Sequence, residues 1–249
     1  MKTTLRRVAL ATVLSLVPVS AAFAATLKGK VVNTHDLLNP VWNEAKDPAN
    51  NRYNFREPAP SVPPDARVLR GHLPRELALV ALADGAAPMK TPLRVIVSGG
   101  RMMQTTIVVP PGQEIRFENH DPFPHVLYET TGTAGMSKGV LAPGAATPWT
   151  APTKPGKYEF RDEVTPSLRA WVVVEPRAVR SVYPNKKGEF AMELEPGAYT
   201  LRAFHNGEPV GEELPVEVKV APQEQLLTAP LKAGADKKKD DKKDQKAGG

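Results

Sequence analysis

An all-β chain of two sandwich domains is the fold class this sequence predicts, and three observations predict it. From residue 104 onward the apolar runs are of strand length and mostly alternate with polar residues. Glycine and proline, 18 and 26 of 249 residues, punctuate those runs at short intervals, as in sandwiches and barrels. No segment keeps a helical apolar period for more than a turn or two.

The elements follow in order. Residues 1–24 carry Lys2, Arg6 and Arg7, an apolar run from Val8 to Val19, and Ala22-Phe23-Ala24 as a small-x-small cleavage site. This is the pattern of a secretory signal peptide, with cleavage before Ala25. The run is shorter than the roughly 20 residues a membrane-crossing helix needs, so no transmembrane segment is expected after cleavage. Thr26 to Asn33 alternates as a strand and opens the mature chain.

Residues 34–75 have neither period and hold Pro40, Pro48, Pro58, Pro60, Pro63, Pro64 and Pro74. Leu37, Leu38, Val41, Trp42, Tyr53 and Phe55 within this insertion suit an ordered clasp better than a free linker. Leu77 to Ala83 and Leu93 to Ser98 are apolar runs of strand length, and residues 25–33 and 76–100 are assigned together to one sandwich. Residues 101–176 form a second, compact β unit. Residues 177–222, with GEFAMELE, GAYTLRAF and ELPVEVKVA, supply closing strands for the first. Residues 223–249 end in a Lys/Asp-rich tail with little to bury, expected to be disordered.

Charge and cysteine content exclude several functions. The formal charge of +6 falls to +3 without Lys2, Arg6 and Arg7, and the seven Lys and four Asp from Lys232 onward account for that remainder. The folded body is near neutral, so no nucleic-acid partner is expected; the mixed-charge tail reads as a solvated spacer, with weak contact with anionic envelope surfaces as the alternative. With no cysteine, disulfides and thiol chemistry are both absent from an exported chain. A Gly-x-Ser-x-Gly pattern occurs at Gly135-Met136-Ser137-Lys138-Gly139, but with no helical period after it to make a strand-to-helix nucleophile elbow; no His-Glu-x-x-His motif occurs, and the chain reads as a non-enzyme.

Within 101–176, Ile107 to Tyr128 (IVVPPGQEIRFENHDPFPHVLY) places a strand, a Pro-Gly turn, a second strand and then Asn119, Asp121 and His125. This resembles the entry to the copper site of the cupredoxin family, in which the first ligand is a histidine at the position of His125. The resemblance implies a Greek-key β-sandwich. Tyr158, Phe160 and Pro166 match the ligand-delivering strand and loop, yet Asp162 stands at the cysteine position, Thr165 at the second histidine and Leu168 at the methionine. A type 1 site needs two imidazoles and a thiolate, because soft ligands stabilise Cu(I). One histidine and one hard carboxylate do not supply that, so no cofactor is expected. The alternative is copper or another divalent ion held weakly by His125 with Asp162, Glu163 and His120.

A polar plug is the favoured account of the same residues: Asp162 and Thr165 close on His125 where a metal would have bridged the strands. On that account Asp162→Ala costs roughly 1–3 kcal/mol through an unpaired buried partner. Asn119 ties the loop to its neighbour through backbone hydrogen bonds.

Thr26 to Asn33 and Gly188 to His205 (GEFAMELEPGAYTLRAFH) resemble the opening strand and closing hairpin of the carboxypeptidase-regulatory, transthyretin-like fold. Phe190, Met192, Leu194, Tyr199, Leu201 and Ala203 would line one face of that hairpin. The combination is similar to a group of secreted bacterial plastocyanin-like proteins of the methylamine-utilisation type. It implies a periplasmic or secreted binding or scaffold protein, with an envelope protein or carbohydrate as partner. The alternative is a copper-binding or electron-transfer protein using His125.

Overall fold

The structure is a computed structural model that describes residues 24–35, 37, 69–133, 135–136 and 138–234. The expected signal peptide, most of the 34–75 insertion and the Lys/Asp-rich end of the tail lie outside the described residues. The described chain is nearly all β, as two sandwiches, and none of its helices is long and apolar enough to cross a membrane.

The inserted sandwich runs from Leu93 to Val174. One sheet orders β4 (Thr106–Val109), β10 (Arg169–Val174), β9 (Gly156–Asp162), β6 (His125–Glu129) and β7 (Gly139–Leu141). The other orders β3 (Leu93–Val97), β5 (Glu114–Asn119) and β8 (Ala146–Thr150). Alternation decides what faces inward: along β5, Ile115, Phe117 and Asn119 are buried while Glu114 and Arg116 are exposed. Phe117, Phe160 and Trp149 meet at the centre, with ring centroids 5.1 and 5.0 Å apart around Phe160.

The outer sandwich is built from strands on both sides of that insertion. β1 (Ala25–Val32) pairs with β12 (Glu189–Leu194) and, in parallel, with β15 (Glu224–Leu226) and β16 (Leu231–Lys232). The facing sheet orders β11 (Ala178–Val182), β2 (Leu77–Leu82), β13 (Gly197–His205) and β14 (Glu208–Val218). One short helix, α1 (Leu73–Glu76), leads into β2.

β2 shows why its sequence, LALVAL, lacks alternation. Leu77, Leu79 and Ala81 face the core of the outer sandwich, while Ala78, Val80 and Leu82 pack with Val108 and Val173 of the inserted one. A strand covered on both faces has no polar side to write into the sequence. The same holds for β10, where Val172 and Val174 point into the inserted core and Val173 points out to β2 and Phe204. Tyr183 adds a polar tie across this junction, donating its hydroxyl to the Thr106 carbonyl at 2.6 Å.

Three expectations are corrected. Leu93–Val97 does not belong with residues 76–82: it lies parallel to β5, so it is a strand of the inserted sandwich. Residues 224–226 and 231–232, expected in the disordered tail, are strands held by β1. Phe190, Met192, Leu194, Tyr199, Leu201 and Ala203 do face one core, but β12 and β13 are in opposite sheets and form no hairpin. Pro196 and Gly197 therefore carry the chain across the core, not back along one sheet.

Gly207, in the turn between β13 and β14, presses this junction together. Its φ is +76°, and a Cβ there would stand 2.7 Å from Trp171 Cβ. Gly207→Ala is expected to cost about 1–3 kcal/mol from left-handed strain and overpacking, read by urea denaturation. An unchanged midpoint would mean that the turn moves freely from β10.

Candidate functional site: His125 between two carboxylates

His125 opens β6, Asp162 closes β9, and these strands are antiparallel neighbours with Leu127 opposite Asp162. The pairing brings Asp162 back to the start of β6, where His125 Nδ1 donates to Asp162 Oδ2 at 2.7 Å. The second ring nitrogen is also taken, since Nε2 lies 3.0 Å from Asp121 Oδ2. The His125 and Asp162 side chains are wholly shielded from solvent, and Asp121 is 6% exposed. An ionised carboxylate only accepts, so each bond requires a proton on the ring nitrogen it meets.

Backbone amides hold both carboxylates. Asp162 Oδ1 accepts from the Val126 amide at 2.6 Å and its Oδ2 from the Thr165 amide at 2.8 Å. Asp121 receives the amides of Gly99 and Gly100 at 2.5 and 2.9 Å. These two glycines have φ of +65° and +67°, the backbone that turns successive N–H groups toward one anion. Gly100 has a second constraint, because a Cβ there would meet the Thr165 methyl at 3.2 Å.

Asn119 frames the loop. Its Nδ2 donates to the Phe123 and Leu141 carbonyls at 2.9 and 3.0 Å, and its Oδ1 accepts from the Asp121 amide at 2.8 Å. The Phe123 ring then lies 4.9 Å from the imidazole, centroid to centroid, over the outer side of the site.

Burial disfavours the ionised form of Asp162, but the His125 ring and the amides of Val126 and Thr165 outweigh it and hold this carboxyl below its ordinary value. Asp121 is depressed in the same way: the amides of Gly100 and Gly99 and the His125 ring overcome its burial.

The other expected site residues go elsewhere. His120 is half exposed and lies 3.5 Å from Glu118, whose carboxyl Arg94 grips with two bonds of 2.7 and 2.6 Å. Glu163 points to solvent and pairs with Lys138. Thr165 contributes its backbone amide to Asp162, while Leu168 is a fully buried part of the inserted core. His125, Asp162, Glu163 and His120 are thus not gathered as a ligand set. The carboxylates that do reach His125 take different ring nitrogens.

Two participants escaped sequence reasoning. Asp121 carries a sequence signal in its spacing of four from His125. The Gly99-Gly100 pair carries another, since consecutive glycines favour positive φ.

No family model matches the chain, and no curated protein matches it. Solved structures similar to it are variants of amicyanin. A reduced variant is 19% identical over 39% of this chain and 99% of its own, with a TM-score of 0.31. An oxidised variant is 20% identical over 40% and 99%, with a TM-score of 0.32. A Cu(I) variant is 25% identical over 38% and 86%, with a TM-score of 0.31. The all-β assignment of this chain rests on its own strands and their pairing.

Proposed function

We propose that the chain is a non-enzymatic binding or scaffold protein of the bacterial envelope, periplasmic or secreted, built on a cupredoxin-like unit that has given up type 1 copper. In this reading the unit is inserted in a sandwich of the regulatory-like kind. The carrying observation is the enclosure of His125, whose two ring nitrogens are both committed to buried carboxylates. Metal entry at that point would have to break both bonds and discharge a satisfied network.

A partner surface suits the same end of the molecule. Val140 and Val164 are 74% and 49% exposed and flank β6 on either side, with Val140 opposite Val126 and the Glu163 amide bonded to the Val126 carbonyl. An exposed apolar rim over a rigid, plugged site fits recognition of an envelope protein or carbohydrate better than electron transfer.

Competition assays with Cu(I) and Cu(II) chelators test the copper-free reading. Wild type and His125→Gln should show the same copper affinity. A loss of about tenfold or more in the variant, equal to ~1.4 kcal/mol, would return the chain to copper handling.

A further inference from the structure

The outer sandwich brings together three potential metal ligands that the His125 network does not involve. His72 caps α1, Glu76 ends it one turn later, and His205 ends β13 opposite Leu77, the residue after Glu76. One ligand atom from each lies within 4.8 Å of the other two, the one such group among the described residues. Their side chains are 7%, 14% and 5% exposed.

The atoms at the centre of this group lack hydrogen bonds. His205 Nε2 and Glu76 Oε2 are both buried and neither makes one, although they stand 3.5 Å apart. Buried polar atoms left this way call for an explanation, and a shared cation supplies one. His72 Nε2 is 4.0 Å from the same Glu76 oxygen and 3.2 Å from the Leu37 carbonyl. With its proton moved to Nδ1, this ring offers Nε2 as a third donor.

The spacing is within reach of a small ion. Donors about 2.1 Å from a tetrahedral Zn(II) stand roughly 3.4 Å apart, so the observed 3.5 and 4.0 Å close by about 0.1 and 0.6 Å, and the pair of histidine donors, within 4.8 Å, by up to about 1.4 Å, which rotation of the side chains supplies. The frame is fixed from the other side too, since the Thr105 amide donates to the Arg75 carbonyl at 3.1 Å and ties α1 to the inserted sandwich.

We propose that His72, Glu76 and His205 bind a divalent transition-metal ion at the junction of the two sandwiches, and that Zn(II) or Cu(II) matches this nitrogen and oxygen donor set. Three protein donors leave a further coordination position for water or a ligand.

The test is titration of the full chain with Zn(II) by calorimetry and with Co(II) by visible absorption. Wild type should bind one equivalent, and Zn(II) should raise its unfolding temperature in a concentration-dependent way. Glu76→Gln and His205→Gln should each weaken binding by at least about tenfold, the lower end of what even outer-shell partners contribute. His120→Ala should leave it unchanged. Circular dichroism establishes that each variant is folded; should one not fold, the wild-type stoichiometry and temperature shift still decide. Absence of saturable binding by wild type, or binding that survives in folded Glu76→Gln and His205→Gln, overturns the site. Binding lost only with His125→Gln overturns it as well and contradicts the copper-free reading instead of supporting it.

Discussion

Asp162→Ala should destabilise the inserted sandwich by about 3–5 kcal/mol, the cost of removing one partner from a buried ion pair. This exceeds the 1–3 kcal/mol expected for a single unpaired group, because the carboxylate serves three donors at once: the His125 ring and the amides of Val126 and Thr165. Alanine leaves all three facing an apolar void, and the imidazole keeps only Asp121. Asp162→Asn retains a side-chain acceptor and the volume, so it should cost less. Urea denaturation at neutral pH reads the difference. A loss below about 1 kcal/mol for the alanine variant would mean that water replaces the carboxylate without penalty, and the plug account would fail.

Acid should unfold the protein through the same residues. Asp121 and Asp162 both ionise at lower pH in the folded chain than in the unfolded one, held by backbone amides and the His125 ring against the opposing effect of burial. Below the ordinary carboxylate value the unfolded chain therefore binds more protons. The stabilisation is complete above about pH 4 and is lost as pH falls through the lower, folded values. Glu118, drawn to about 2 by the bonds from Arg94 despite some desolvation, adds to the same trend. Stability followed by urea midpoint should be nearly flat from neutral pH to about pH 5 and drop below about pH 4, with a shallower drop in Asp162→Asn. An acid limb of equal slope in that variant would remove Asp162 from the account.

Much of the inserted unit was legible in its sequence. Strand, Pro-Gly turn and strand before Asn119 make a local pattern, and local patterns survive folding. Placing Asp162 near His125 needed only the resemblance, because antiparallel β6 and β9 return one strand end to the other's start. What escaped notice depends on distant pairing. The parallel partner of β3 is chosen by the tertiary arrangement, and an apolar run such as LRVIV fits either sandwich. EQL is too short and polar to announce a strand, yet β1 has a free edge that captures it. His72 and Glu76 show a one-turn spacing in sequence, but only the register of β13 on β2 brings His205 to them.

The central claim is that His125 is a closed structural hub and not a vacant ligand. Nitrogen-15 NMR of the His125 ring, recorded with and without one equivalent of Cu(I), tests this most directly. A proton on each ring nitrogen, unchanged by the metal, is the result predicted by bonds of 2.7 and 3.0 Å to Asp162 and Asp121. Loss of the Nδ1 proton and a metal-dependent shift of that nitrogen would contradict it.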